Sequence, residues 1–166
     1  MENLADVIII DTGAGISQSV LEFAIASPEV LLVTTPEPTS ITDSYALLKA
    51  LAMNPEFDRN STKVMLVANK VNSASESRSI YEKLSAVVSR FLNIRLEYLG
   101  AVPQDGNITK AIMKQKPVSL EYPTSIASKA FYAMERKLSD EEQRVPHLKK
   151  GVSRFFSNVF GFGRRS

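Results

Sequence analysis

Cysteine is absent from this chain of 166 residues, and histidine occurs once, at His147. Without cysteine there are no disulfides and no thiolate metal site, which fits a cytoplasmic location. A lone histidine excludes a histidine metal cluster and leaves no Ser-His-Asp machinery in the core. No apolar run approaches the ~20 residues of a membrane span, and the N-terminus shows no basic, apolar signal peptide. What is present is 44% hydrophobic and 23% charged, the balance of an ordinary globular protein. The length suits one domain with a sizeable core.

Acidic residues are missing from one region only. Residues 1–144 carry 15 Lys/Arg against 18 Asp/Glu, whereas residues 145–166 carry Lys149, Lys150, Arg154, Arg164 and Arg165 with no acid. The net charge of +2 therefore hides a mildly acidic body and a tail of net +5. Such a tail points to an anionic partner for itself alone.

The most informative stretch runs from Asp6 to Ser17. Val7, Ile8, Ile9 and Ile10 are β-branched and leave no polar face, which predicts a strand buried on both sides, as in a parallel sheet. It stops at Asp11 and enters Thr12-Gly13-Ala14-Gly15, followed by a helix-like run from Ile16 to Ile25 that Ser17 could cap. A carboxylate there, followed by a glycine turn and a helix, lies where open α/β sheets bind ligands. One reading is a Walker B type aspartate holding a Mg²⁺-bound water, with glycine amides facing a terminal phosphate. The other is a strand-to-helix turn with a solvated Asp, because a D-x-G-x-G spacing alone is common.

Strand and helix patterns then alternate. Strands are predicted over Glu29–Thr35, Lys63–Asn69 and Leu96–Val102. A helix capped by Thr39 or Ser40 places Ile41, Tyr45, Leu48 and Ala52 at helical spacing. Ser73 with Glu76 forms a capping-box pattern ahead of a helix with Ile80, Leu84, Val87, Val88 and Phe91 on one face. A short helix over Ile108–Lys114 and a brief strand over Val118–Leu120 follow. A last helix over Thr124–Leu138 turns Ile126, Ala130, Phe131, Met134 and Leu138 inward. Such alternation implies right-handed βαβ units: an α/β fold with a mostly parallel sheet flanked by helices. Asp11, Asn69 and the Pro103–Asp105 turn then converge at one sheet edge. From the residues alone, Asn69 is a turn cap and Asp105 the N-cap of the helix from Ile108. The core domain is assigned to residues 1–138, a polar linker to 139–146 and a tail to 147–166.

In that tail Leu148, Val152, Phe155, Phe156, Val159 and Phe160 form one helical stripe, extended by Phe162, with Lys149, Lys150 and Arg154 away from its centre. This is the pattern of an interfacial membrane helix. Each buried Phe or Leu contributes ~2 kcal/mol and each cation near an anionic leaflet ~1 kcal/mol, less the ordering of the helix. The alternatives are a helix packed on its own domain or on a partner.

Asp11-Thr12-Gly13-Ala14-Gly15-Ile16-Ser17 and Val33-Thr34-Thr35-Pro36-Glu37-Pro38-Thr39-Ser40 together resemble the MinD/ParA group of deviant Walker ATPases, in particular its flagellar-number regulators of the FlhG/FleN/YlxH type. The likeness continues through Val67-Ala68-Asn69-Lys70-Val71, Leu99-Gly100-Ala101-Val102-Pro103-Gln104-Asp105, Lys114-Gln115-Lys116-Pro117 and the amphipathic tail. It implies a P-loop NTPase fold of MinD type and ATP with Mg²⁺ as cofactors. Asp11 would hold the Mg²⁺ water shell, and Gly13 and Gly15 would lie at the γ-phosphate. Asn69, Lys70, Pro103 and Asp105 would lie on the adenine side. It further implies an ATP-dependent homodimer on the inner face of the cell membrane, acting on flagellar assembly or positioning proteins. No direct nucleic-acid contact is expected. The alternative is a non-catalytic membrane-binding regulatory module, or a related MinD/ParA positioning protein.

That family also carries a Lys-Gly-Gly-x-Gly-Lys phosphate loop and a later switch aspartate, neither of which this sequence contains. Phosphoryl transfer needs cations around the transferred group, and Lys70 is no obvious substitute. The chain by itself is therefore expected to bind ATP weakly or not at all and not to turn it over. The phosphate-loop strand would lie beside Val7–Ile10, so this chain is expected to be poorly soluble or to self-associate through that apolar run, unless another chain segment pairs there. A monodisperse monomer in light scattering would contradict this expectation.

Overall fold

A computed structural model describes residues 7–142. The tail stripe, Leu148 to Phe162, and the end of the expected linker lie outside the described residues. Three parallel strands form a sheet in the order β1-β2-β3: β1 (Glu29–Thr34), β2 (Lys63–Val71) and β3 (Leu96–Pro103). Helices α1 (Gln18–Ala26), α2 (Pro38–Met53) and α3 (Ala74–Leu92) come between and before them, and α4 (Gly106–Met113), α5 (Val118–Glu121) and α6 (Ile126–Glu142) follow. The α/β class with a parallel sheet is as the alternation predicts.

The core has two layers because β2 is central and turns successive side chains to opposite faces. Val64, Leu66 and Ala68 join Leu32 against Leu48 and Leu51 of α2 and Ile80, Leu84 and Val88 of α3. Met65 and Val67 join Leu99 and Val102 of β3 against Ala127 and Met134 of α6. Helix α6 packs on β3 and leaves this face of β1 bare, with Leu31 47% and Val33 56% exposed. Burial on both faces thus holds along β2, while β1 is one-sided.

Several expectations are corrected. Val7–Ile10 forms no strand: the described sheet ends at β1, and Ile9 is 85% exposed. A β-branched run without a neighbouring ladder cannot pair its amides, so its propensity finds no structure to join. Ser17 occupies the N-cap position of α1 but makes no capping bond; its hydroxyl lies 3.1 Å from that of Ser19. Val118–Leu120 is helical, not extended, with the Leu120 and Glu121 amides both donating to Pro117 O. Val87 and Phe91 are exposed, and the inward face of α3 runs through Ser77, Ile80, Leu84, Val88 and Leu92. On α6, Ile126 and Phe131 are exposed, whereas Ala127 and Ser128 are fully buried. The Ser128 hydroxyl lies 2.8 Å from Tyr122 O and 3.1 Å from Val118 O. A periodicity of large apolar residues misses a face built on Ala and Ser. Helix α6 also continues through Glu142, into the stretch read as linker.

Close approach of α6 to β3 depends on Gly100. A Cβ there would stand 2.7 Å from Met134 Cγ and 2.9 Å from its Sδ, and Met134 is itself buried. Gly100→Ala is expected to lower unfolding free energy by about 1–3 kcal/mol, the range for overpacking. Gly106→Ala, where nothing lies within 4 Å, should stay within about 0.5 kcal/mol. Urea titrations of the two variants check the pair.

Candidate functional site

Because the three strands are parallel, their carboxyl ends share one edge, where loops of open α/β sheets meet ligands. At β1 the edge is fixed by Ser40. Its hydroxyl lies 3.1 Å from Thr34 Oγ1 and accepts the Thr35 amide at 3.0 Å. Helix α2 starts at Pro38 with Glu37 as an uncapped N-cap, so Ser40 ties helix to strand rather than capping.

At β2 the chain turns sharply. Asn69 faces Val102 and Val71 faces Pro103 across an irregular step in the ladder. The intervening Lys70 takes φ 57°, a left-handed conformation uncommon for a non-glycine residue. Asn69 Oδ1 accepts the Lys70 amide at 2.9 Å, which stabilises the turn and leaves Nδ2 free to donate. Lys70 is exposed. The Gln104 amide donates to Val71 O at 2.9 Å, so the Pro103–Asp105 loop is stitched to the end of β2. Asn69, Lys70, Pro103 and Asp105 therefore lie together at this edge, whereas no described hydrogen bond brings Asp11, expected there as well, to them.

Asp105 is the best-connected of them. One oxygen accepts the Asn107 amide at 2.9 Å and the other the Ala127 amide at 3.1 Å. These bonds, the Asn107 one first, hold its carboxyl below the usual value of 3.8, with a smaller contribution from the Ser125 hydroxyl and burial opposing. The N-cap reading is correct, although α4 opens at Gly106 rather than Ile108. Beyond β2, Ser73 Oγ accepts the Glu76 amide at 3.1 Å, and the Glu76 carboxylate takes the Asn72 amide at 2.6 Å. The reciprocal arm of the box is displaced by one residue.

Asp11, Gly13 and Gly15 stand exposed in the irregular stretch before α1. Among the described hydrogen bonds none joins them to Asn69 or to the Pro103–Asp105 loop. Gly15 has φ +99°, a turn that glycine permits at little strain. For Mg²⁺ the fit is narrow. No group of three or more acidic or histidine side chains occurs among the described residues, so Asp11 could hold only a water-clad ion whose other ligands come from phosphate. For a purine, Asn69 Nδ2 and the loop backbone are chemically suitable.

A cleft of about 390 Å³ opens between the start of α3, the end of β3 and α6, lined by Asn72, Ser77, Tyr98, Ala101, Pro103 and Ile126 among others. Ser77 and Tyr98 hydroxyls meet at 2.9 Å on its wall. A larger hollow of about 550 Å³, with Arg59, Asn60 and Arg95, lies at the strands' amino ends, opposite the loops that open sheets use. Position, not size, favours the carboxyl edge. Sequence reasoning gave Ser40 a helix-capping role in place of its bonds to Thr34 and Thr35, and missed Ser125 and the Ala127 amide. For Ser125 the signal was available, as a hydroxyl residue just before an apolar-periodic run.

No family model matches the chain. It is 42% identical over 151 residues to the antiactivator FleN of Pseudomonas aeruginosa, covering 91% of this chain and 52% of that protein. It is 30% identical over 162 residues to the flagellum site-determining protein YlxH of Helicobacter pylori, covering 95% and 52%. The chain belongs to the MinD/ParA family, FlhG/FleN type. It spans about half the length of these relatives. The solved structure of the MinD cell division protein of Aquifex aeolicus superposes with a TM-score of 0.63 at 20% identity, covering 90% of this chain and 58% of that one. That likeness assigns a MinD-like fold.

The pH response of this FleN relative follows from Asp105. A carboxyl depressed in the folded state contributes stability that is present above its ordinary value and lost as pH falls through the folded one. The loss is expected below pH 3.8. Glu121, lowered chiefly by the Lys114 hydrogen bond and then by Lys116, adds a similar loss below 4.5. In urea titrations between about pH 5 and 2, Asp105→Asn and Glu121→Gln should each flatten part of the acid slope.

Proposed function

We propose that this chain is part of a MinD-like ATPase that regulates flagellar number and placement as an ATP-dependent dimer on the membrane. The observation that carries the reading is the 42% identity to FleN across 91% of the chain, supported by the likeness to a flagellum site-determining protein over 95% of it. The meeting of Asn69 with the Pro103–Asp105 loop at the sheet's carboxyl edge agrees with it. In this reading Asn69 Nδ2 and the loop backbone address the adenine, and Lys70 lies beside them. Asp11 orients the water shell of Mg²⁺, while Gly13 and Gly15 follow the γ-phosphate. The basic, phenylalanine-rich tail from Leu148 to Phe162 binds anionic lipid reversibly, and dimerisation strengthens it through avidity. The described helices include none long and apolar enough to cross a membrane, and a peripheral anchor requires none.

A non-catalytic membrane-binding regulator is the second reading. It is favoured by Asp105, whose two oxygens are both committed to backbone amides rather than held open for a ligand. Recruitment to phosphatidylglycerol-containing vesicles, with and without Mg-ATP, separates the two. The switch is expected to bind vesicles in an ATP-dependent manner, and equal binding without nucleotide would refute it. For residues 1–166 alone we expect no Mg-ATP hydrolysis above an Asp11→Ala control.

A further inference from the structure

Asp105 was anticipated as a nucleotide contact, and its geometry gives it different work. We propose that Asp105 is a positioning residue, a two-oxygen clamp that holds the Pro103–Asp105 loop against the first turn of α6 and so sets the loop backbone that faces nucleotide. The inference deepens the nucleotide reading above and rests on it.

The clamp is built from both sides of the carboxylate. One oxygen takes the Asn107 amide at the start of α4, and the other takes the Ala127 amide 22 residues further on. First-turn amides of a helix have no carbonyl of their own helix to bind, and Ala127 is fully buried, so its N–H needs an acceptor from elsewhere. Asp105 supplies it. Ser125 reinforces the junction: its hydroxyl oxygen accepts the Ser128 amide at 3.1 Å, and its proton goes to Ser128 Oγ at 3.0 Å. On the loop's other flank, the Gln104 amide is held by Val71 O at 2.9 Å. The loop is therefore fastened to β2 on one side and to α6 on the other, where the Asp105 carboxylate takes the Ala127 amide and is also met by the Ser125 hydroxyl.

Only a side chain with two acceptors of this reach can serve both helices. Serine at this position can still cap α4 but is too short to meet α6 as well. Asparagine keeps the size and one acceptor, and turns an NH₂ group toward the other donor. These differences separate clamp from ligand. Replacing a carboxylate that reads the purine edge gives up selection against guanine, whereas replacing one that sets the loop exposes the Ala127 amide and weakens adenine binding together.

The test uses the protein as the cell makes it, with amide hydrogen exchange and with Mg-ATP and Mg-GTP titrations. In Asp105→Ser the Ala127 amide should exchange at least about tenfold faster while the Asn107 amide stays protected, the scale of losing one charge-assisted hydrogen bond. Affinity for ATP should fall about tenfold in the same variant, and affinity for GTP should not rise. Unchanged exchange at Ala127, unchanged ATP affinity despite faster exchange, or a gain in GTP affinity would each overturn the proposal. Asp105→Asn serves if the serine variant does not fold: one of the two amides should lose protection, and protection kept at both refutes the clamp. A wild-type protein that binds neither nucleotide refutes the nucleotide reading, and the positioning role with it, while exchange at Ala127 still decides whether the bond forms.

Discussion

The central strand is the constraint on which the rest depends. β2 is hydrogen-bonded to a neighbour on each side and covered on both faces, so every backbone amide and every side chain from Val64 to Ala68 has one place to go. A strand in that position fixes the register of its neighbours, because a slip of one residue would exchange the α2–α3 layer for the α6 layer. It also aligns the ends of β1 and β3 with its own, which is what gathers Thr34, Asn69 and Pro103 at one edge. The candidate site is thus a by-product of packing five apolar residues in the middle of the sheet.

Legibility in the sequence followed this hierarchy. Val64-Met65-Leu66-Val67-Ala68 read correctly because, unlike Val7–Ile10, this apolar run has a paired strand on each side in the fold. Ser73 and Asp105 read correctly because capping is local chemistry. Val7–Ile10 did not, because four β-branched residues state a preference that only a neighbouring strand can satisfy. The inward face of α6 was misjudged for a related reason: Ala127 and Ser128 are buried through close contact and hydrogen bonds to Val118 O and Tyr122 O, and neither is visible to a count of large apolar residues.

At the site, residue types were legible and engagements were not. Asn69 could be placed at a strand end from its position alone, but not the left-handed Lys70 that follows, nor the bond between them. Asp105 could be given as an N-cap, but its second oxygen reaches Ala127 across a distance in sequence that no local pattern spans. Membership in the MinD/ParA family rests on similarity to FleN and YlxH along most of the chain. The engagements of Asn69 and Asp105 are hydrogen bonds that only the fold discloses.

The fit of Met134 onto Gly100 has a chemical consequence. A thioether whose sulfur stands 2.9 Å from the point a methyl group would occupy has no room on that side for a sulfoxide oxygen, and the added polarity would face Leu99 and Val102. Oxidants in solution meet other sulfurs first: Met113 is 82% and Met53 75% exposed, and neither belongs to the core. Those two side chains can take up oxygen while α6 stays seated, so oxidation of Met134 would mark molecules whose last helix had already lifted from the sheet.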